Sequence, residues 1–300
     1  MRTIDELVQL ARTIPSGRLA VAGGNDPDTI QASARAVREG LVDVVLVADE
    51  AKVMTLLEKE GIDRGLFTIV HVPDPYQAAR EAVAMVGRGE AHMLMKGLVG
   101  TEVYMHMILD KQQGILPSGG VLSHVSVMEI PAYHKLLIIS DVAVLPAPDL
   151  SQKVKMIEYC VQTAARLGIT FPKVAIVTAT EKVSEKMPAT MDAAVLTTMA
   201  RRGQIKGALV DGPLALDVAI SKHACEIKGI TGEVPGDADV LILPDIEAGN
   251  IFYKAVNLLA GAKTGAVVAG TTVPCILTSR ADDDESKFCS IALAQVMAKT

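Results

Sequence analysis

The residues of this chain best suited to chemistry fall in short polar or glycine-rich segments, each placed just after an apolar run of strand composition. In an open α/β sheet that is where ligands sit, beyond the carboxyl ends of the strands. Thr278-Ser279-Arg280-Ala281-Asp282-Asp283-Asp284-Glu285 also opens a helix. The Arg280 guanidinium could hold a phosphate by paired hydrogen bonds beside the helix N–H groups, and the Ser279 hydroxyl could support a developing oxyanion. Asp282 and Glu285 have capping-box spacing, so a capping role competes with a catalytic one for both acids.

Pro244-Asp245-Ile246-Glu247-Ala248-Gly249-Asn250 is a second strand-to-helix turn, with Lys254 one turn into the helix. Gly249 followed by Asn250 would equally suit a tight turn and a helix cap. Lys96-Gly97-Leu98-Val99-Gly100-Thr101 sets a lysine at a strand end among small residues, a fair anion ligand. Asp211-Gly212-Pro213 ordinarily reads as a turn, and SGGVLSH at 118–124 contributes Ser123 and His124.

Other chemistries are disfavoured. Gly261-Ala262-Lys263-Thr264 lacks both P-loop glycines, at Ala262 and Asn257, and Gly23-Gly24 does not extend to GxGxxG. The histidines share no metal-ligand spacing, so no metal is expected. Cys160, Cys225, Cys275 and Cys289 are far apart and read as buried, reduced thiols. With 29 Lys and Arg against 35 Asp and Glu, the net charge of −6 argues against a nucleic-acid surface. No apolar run approaches a membrane span and no signal-peptide core follows Met1, so a cytoplasmic protein is expected.

The elements that must position these segments alternate almost throughout between short β-rich runs and longer helical patterns. That is the sign of βαβ units and a largely parallel sheet, and a chain with only 3% aromatic residues and no Trp must build an aliphatic core, which suits helix-covered sheets. Asp26 and Pro27 mark the start of one helix, which stops at Gly40. Other helices are expected over 101–112, 214–222, 251–259 and 283–297, and a strand over 207–210. The runs 121–128 and 136–140 have no helix between them, so an antiparallel pair is plausible there. The loose composition at 114–120 marks a domain crossing.

Taken together, ILTSRADDDESKFCSIALA, PDIEAGNIFYK, MLMKGLVGT, LSHVSVMEI, LDVAISKHACEIKGI and VDGPL closely resemble the phosphate acetyl/butyryl transferase family, nearest its butyryl branch. The resemblance implies a two-domain α/β enzyme with three-layer α/β/α domains, similar to the isocitrate/isopropylmalate dehydrogenase-like fold. The domains would be 1–117 with 271–300, and 118–270, with the active-site cleft between them. It implies interconversion of a short-chain, butyryl-like or branched, acyl-CoA plus phosphate with acyl phosphate plus CoA, usually by a homodimer or higher homo-oligomer. CoA is then a substrate, and no tightly bound cofactor is expected.

By the same resemblance Ser279 stabilises the oxyanion or the leaving thiolate and Arg280 holds the phosphate. Asp282 and Glu285 are candidate bases, while Lys96, Gly97, His106, Ser123, His124, Asp211, Glu247, Gly249, Asn250 and Lys254 are expected to bind the substrates. Two departures stand out. Ser286 occupies the place of the acetyl branch's proposed base, and His106 that of an arginine. They motivate an alternative, a CoA-binding or metabolite-sensing member with weak or no turnover. A metal-dependent oxidative decarboxylase of related architecture is disfavoured by the missing signatures.

Overall fold

The structure, a computed structural model, describes residues 1–278 and 283–298. The chain runs through α1 (Ile4–Arg12), β1 (Gly17–Ala22), α2 (Pro27–Arg38), β2 (Val42–Ala48), α3 (Glu50–Glu60), β3 (Phe67–His71), α4 (Pro75–Gly87), β4 (Met93–Lys96) and α5 (Thr101–Leu109). Next come β5 (Ser123–Glu129), β6 (Leu137–Ser140), α6 (Leu150–Arg166), β7 (Lys173–Val177), α7 (Pro188–Arg201), β8 (Leu209–Leu214), α8 (Leu216–Ile220), α9 (Lys222–Lys228), β9 (Val240–Ile242) and α10 (Ile246–Ala260). It closes with β10 (Lys263–Ala269), β11 (Cys275–Ile276) and α11 (Asp284–Met297).

These elements form two compact units, one of Asp5–Leu122 with Gly265–Thr300, the other of Met1–Ile4 with Ser123–Thr264. In the first, the strands lie in the order β3-β2-β1-β4-β11-β10, all parallel except the β10–β11 pair. In the second the order is β5-β6-β9-β7-β8, with β5 and β6 antiparallel and the rest parallel. Helices cover these sheets, so central strands such as β2 and β4 are buried almost end to end.

A recurrent device links strand to helix. Asp26, Asp49, Asp74, Asp149, Asp245 and Asp283 each accept a hydrogen bond from the first turn of the helix that follows, which satisfies one of its unpaired N–H groups. Part of the acidic balance is thus structural. The core is aliphatic, with Tyr104 and Phe288 its bulkiest fully buried side chains. All four cysteines are buried and none is in a disulfide. Burial pushes the Cys160 and Cys275 thiols up, Cys275 to about 12, so neither supplies a thiolate near neutrality.

Several boundaries differ from expectation for local reasons. Helix α5 stops at Leu109 rather than 112, because Asp110 turns extended and its Oδ1 accepts the N–H groups of Gln112 and Gln113, both at 2.8 Å. Asp211-Gly212-Pro213 is no turn but the middle of β8, an edge strand where a proline costs no ladder bond. The helix expected over 214–222 divides at Ser221, which caps α9. Helix α10 begins at Ile246, not 251, because Asp245 is its cap; Gly249 and Asn250 lie within it. The cap of α11 is Asp283, which receives the N–H of Ser286.

Candidate active site

In the first unit the strand order reverses at β1 and β4, the switch point where open sheets make their crevices. The two loops there are tightly knit. Gly97 and Leu98 donate their N–H groups to the carbonyls of Ala22 and Gly23, each at 2.8 Å. A Cβ on Gly97 would lie 2.3 Å from the Gly23 oxygen, so glycine is required by close approach of backbone. Lys96, at the end of β4, is buried, and its Nζ donates to the Gly97 carbonyl at 3.2 Å. His106 lies on the exposed side of α5.

Helix α11 brings its first turn against α2. Lys287 is only 2% exposed and its Nζ lies 3.2 Å from Asp26 Oδ2 and 3.5 Å from Asp28 Oδ2. Partial burial would raise the Asp26 carboxyl, but the Thr29 hydroxyl and the Lys287 charge outweigh it and hold the group below the usual carboxylate range. Glu285 is ion-paired to Arg35, whose guanidinium also bonds Glu39 at 2.9 Å and stacks 3.7 Å from the centre of the Phe288 ring. Ser279, Arg280 and Asp282 lie outside the described residues.

In the second unit, sequence-predicted residues from distant segments meet around Asp141, which the sequence reading missed. Asp141 follows β6 and is buried. Its Oδ2 accepts the Ser123 hydroxyl at 3.0 Å and the His124 N–H at 2.8 Å; its Oδ1 accepts the N–H groups of Ala143 and Val144, both at 2.8 Å. Since the Ser123 proton goes to the carboxylate, the Ser140 hydroxyl donates to Ser123 Oγ across 2.8 Å. The His124 ring sets Nδ1 3.2 Å from Ser126 Oγ and stands edge-on to Tyr253 of α10.

The first turn of α10 packs on the same residue. A Cβ on Gly249 would lie 2.0 Å from the Asp141 carbonyl oxygen, and Asn250 Nδ2 donates to the Val142 carbonyl at 3.0 Å. Ser123, His124, Gly249 and Asn250 are therefore assembled together. Glu247 and Lys254 are on exposed positions of α10. Asp211 is not part of this cluster. With β9 and β7 intervening between β6 and β8, it lines a separate cavity of about 310 Å³ with Arg201, Gly232 and Glu233. Asp141 had a usable signal, since it too directly follows an apolar strand.

The family model described as Phosphate acetyl/butaryl transferase matches residues 72–295. The chain belongs to the phosphate acetyl/butyryl transferase family. It is thus an acyltransferase. It is 41% identical to the phosphate butyryltransferase of Clostridium acetobutylicum over 99% of both chains. It is 48% identical to the phosphate acetyltransferase of Thermotoga maritima, over 98% of this chain and 99% of that one. Among solved structures, a branched-chain phosphotransacylase from Enterococcus faecalis superposes with a TM-score of 0.82 at 33% identity, covering 94% of this chain and 99% of that one. The family's α/β fold agrees with the two largely parallel, helix-covered sheets. Among the described residues, no group of side chains could hold a metal ion and no helix is long and apolar enough to cross a membrane.

Proposed function

We propose that this chain interconverts a short-chain acyl-CoA and inorganic phosphate with the acyl phosphate and CoA, in the cytoplasm, with CoA as substrate and no tightly bound cofactor. The observation that carries this reading is the end-to-end similarity to phosphate butyryl- and acetyltransferases. A branched-chain phosphotransacylase among the similar structures supports a butyryl-like or branched acyl group.

In this reading a phosphate oxygen attacks the thioester carbonyl carbon, and the carbonyl electron pair moves to oxygen. Collapse of the tetrahedral intermediate then breaks the C–S bond and expels CoA as thiolate, which takes up a proton. Arg280 holds the phosphate by charge-assisted hydrogen bonds, and Ser279 donates to the oxyanion or the departing thiolate. Asp282 or Glu285 takes part in proton transfer. Lys96, in the first unit, and His124 and Asn250, in the second, each supply binding contacts to the substrates. Two copies associate through the apolar side of α10, where Ile251, Leu258 and Leu259 are 69%, 81% and 87% exposed.

The test is thiol release. Purified protein with butyryl-CoA should liberate CoA only when phosphate is present. A panel from acetyl- to hexanoyl-CoA with no phosphate-dependent release would sink the proposal. Arg280→Ala should raise the phosphate KM and lower turnover about a hundredfold, as a charged contact to a dianion is lost. A second reading, a CoA-binding member with weak or no turnover, is favoured by Ser286 and by the engagement of Glu285 with Arg35. CoA binding by calorimetry without turnover would support it.

A further inference from the structure

We propose that Asp141 is a positioning residue for the acyl-transfer site, one that acts through His124 and lies outside the motif segments quoted from the sequence. The inference rests on the phosphate acyltransferase reading above.

Asp141 is 1% exposed, yet carries a carboxylate. Burying such a group is costly unless its lone pairs are filled, and here neutral donors fill them, two on each oxygen. Those donors are not local alone. Ala143 and Val144 belong to the loop that leaves β6, but Ser123 and His124 open β5, a segment 17 residues away in sequence. The backbone of the same loop receives α10, through the Asp141 carbonyl against Gly249 and the Val142 carbonyl against Asn250. One residue thus sets the mutual placement of His124 and Asn250, side chains that the proposed function assigns to substrate. A serine or asparagine could not replace it, because neither offers acceptors on both sides without a donor of its own.

The Ser126 hydroxyl at Nδ1 and the Tyr253 ring at its side then fix the plane of the imidazole, while Asp141 fixes the backbone from which it projects. A displacement of about 1 Å in such a group is enough to cost orders of magnitude in rate. A carboxylate held only for stability would affect folding, but would not be coupled to His124 in catalysis.

Asp141→Asn separates the two. It preserves shape and leaves an oxygen for the loop N–H groups, but turns an amide NH₂ toward the Ser123 hydroxyl and His124 N–H, donor against donor. In phosphate-dependent release of CoA from butyryl-CoA, D141N should lower kcat at least about tenfold in the wild-type background. In a His124→Gln background it should lower kcat less than about twofold, because the group it positions is already gone. Equal losses in the two backgrounds, or wild-type kcat in D141N, would overturn the proposal. If D141N does not fold, Ser123→Ala removes one donor and keeps the carboxylate, and is read in the same cycle. If the wild type itself shows no turnover, the function reading has failed on its own terms. The positioning role is then decided by NMR of the His124 ring, assigned by loss of its signals in H124Q. Signals moved by D141N, or by S123A where D141N does not fold, with the other histidines unchanged, support it; an unmoved His124 ring refutes it.

Discussion

Gly249 shows how a single hydrogen atom can be a structural requirement. Alanine at an interior helix position ordinarily gains roughly 0.5–1 kcal/mol over glycine through a less flexible unfolded chain. Here the new methyl would sit 2.0 Å from the Asp141 carbonyl oxygen, on a residue whose carboxylate is held by the N–H groups of Ala143 and Val144. Overpacking of that kind costs about 1–3 kcal/mol, so strain outweighs propensity. Gly249→Ala is expected to lower the urea midpoint and, by pushing α10 from Asp141, to impair turnover. A midpoint at or above that of the wild type would show that α10 can shift freely. The residue pair GN looks like a cap in the sequence, and only the approach of Asp141 reveals why it lies inside a helix.

At the scale of elements, the join between α11 and α2 depends on one buried lysine. Removing the Lys287 ammonium leaves Asp26, the cap of α2, in a partly buried place without its cation. Lys287→Met keeps the apolar stem, and we expect a loss of about 1–3 kcal/mol near neutral pH, reduced from the figure for fully buried pairs because Asp26 is partly solvated. The pH dependence follows from the direction of the shift. Asp26 is depressed in the folded state, so its contribution is present above the unfolded carboxylate value of about 3.9 and is lost as pH falls through the lower folded value. Denaturation curves of wild type and variant should therefore converge below about pH 4. A constant gap from pH 7 to pH 3 would assign the effect to packing instead. This contact places the first turn of α11 beside the loop that follows β1.

At the scale of the whole molecule, the proposed pairing of two copies is tested on the exposed side of α10. Leu258 and Leu259 are among the most exposed large hydrophobic residues, on the helix that also supplies Asn250 and Tyr253 to the Asp141 cluster. Self-association through this side would remove about 25 cal/mol of unfavourable hydration for each Å² of apolar surface covered. Light scattering should give twice the 31.7 kDa chain mass for the wild type, and the chain mass for Leu258→Glu/Leu259→Glu with its circular dichroism unchanged. A wild type that remains monomeric at tens of micromolar would remove α10 as an interface.

Strand-length apolar runs, aspartates before helices and glycines after them were enough to read the alternating α/β order, since each depends on contacts within a few residues. Motif residues were enough to identify the family. Asp141 and Lys287 were not legible as buried charges, because an aspartate after a strand and a lysine in an acidic helix start look like ordinary surface. Their burial is set by partners 17 and 261 residues away. The same holds for Asp211-Gly212-Pro213, which is a strand only because β8 has an open edge. Local chemistry therefore determined the elements, the motif resemblance pointed to the family, and tertiary structure alone decided which charges are buried and which segments they join.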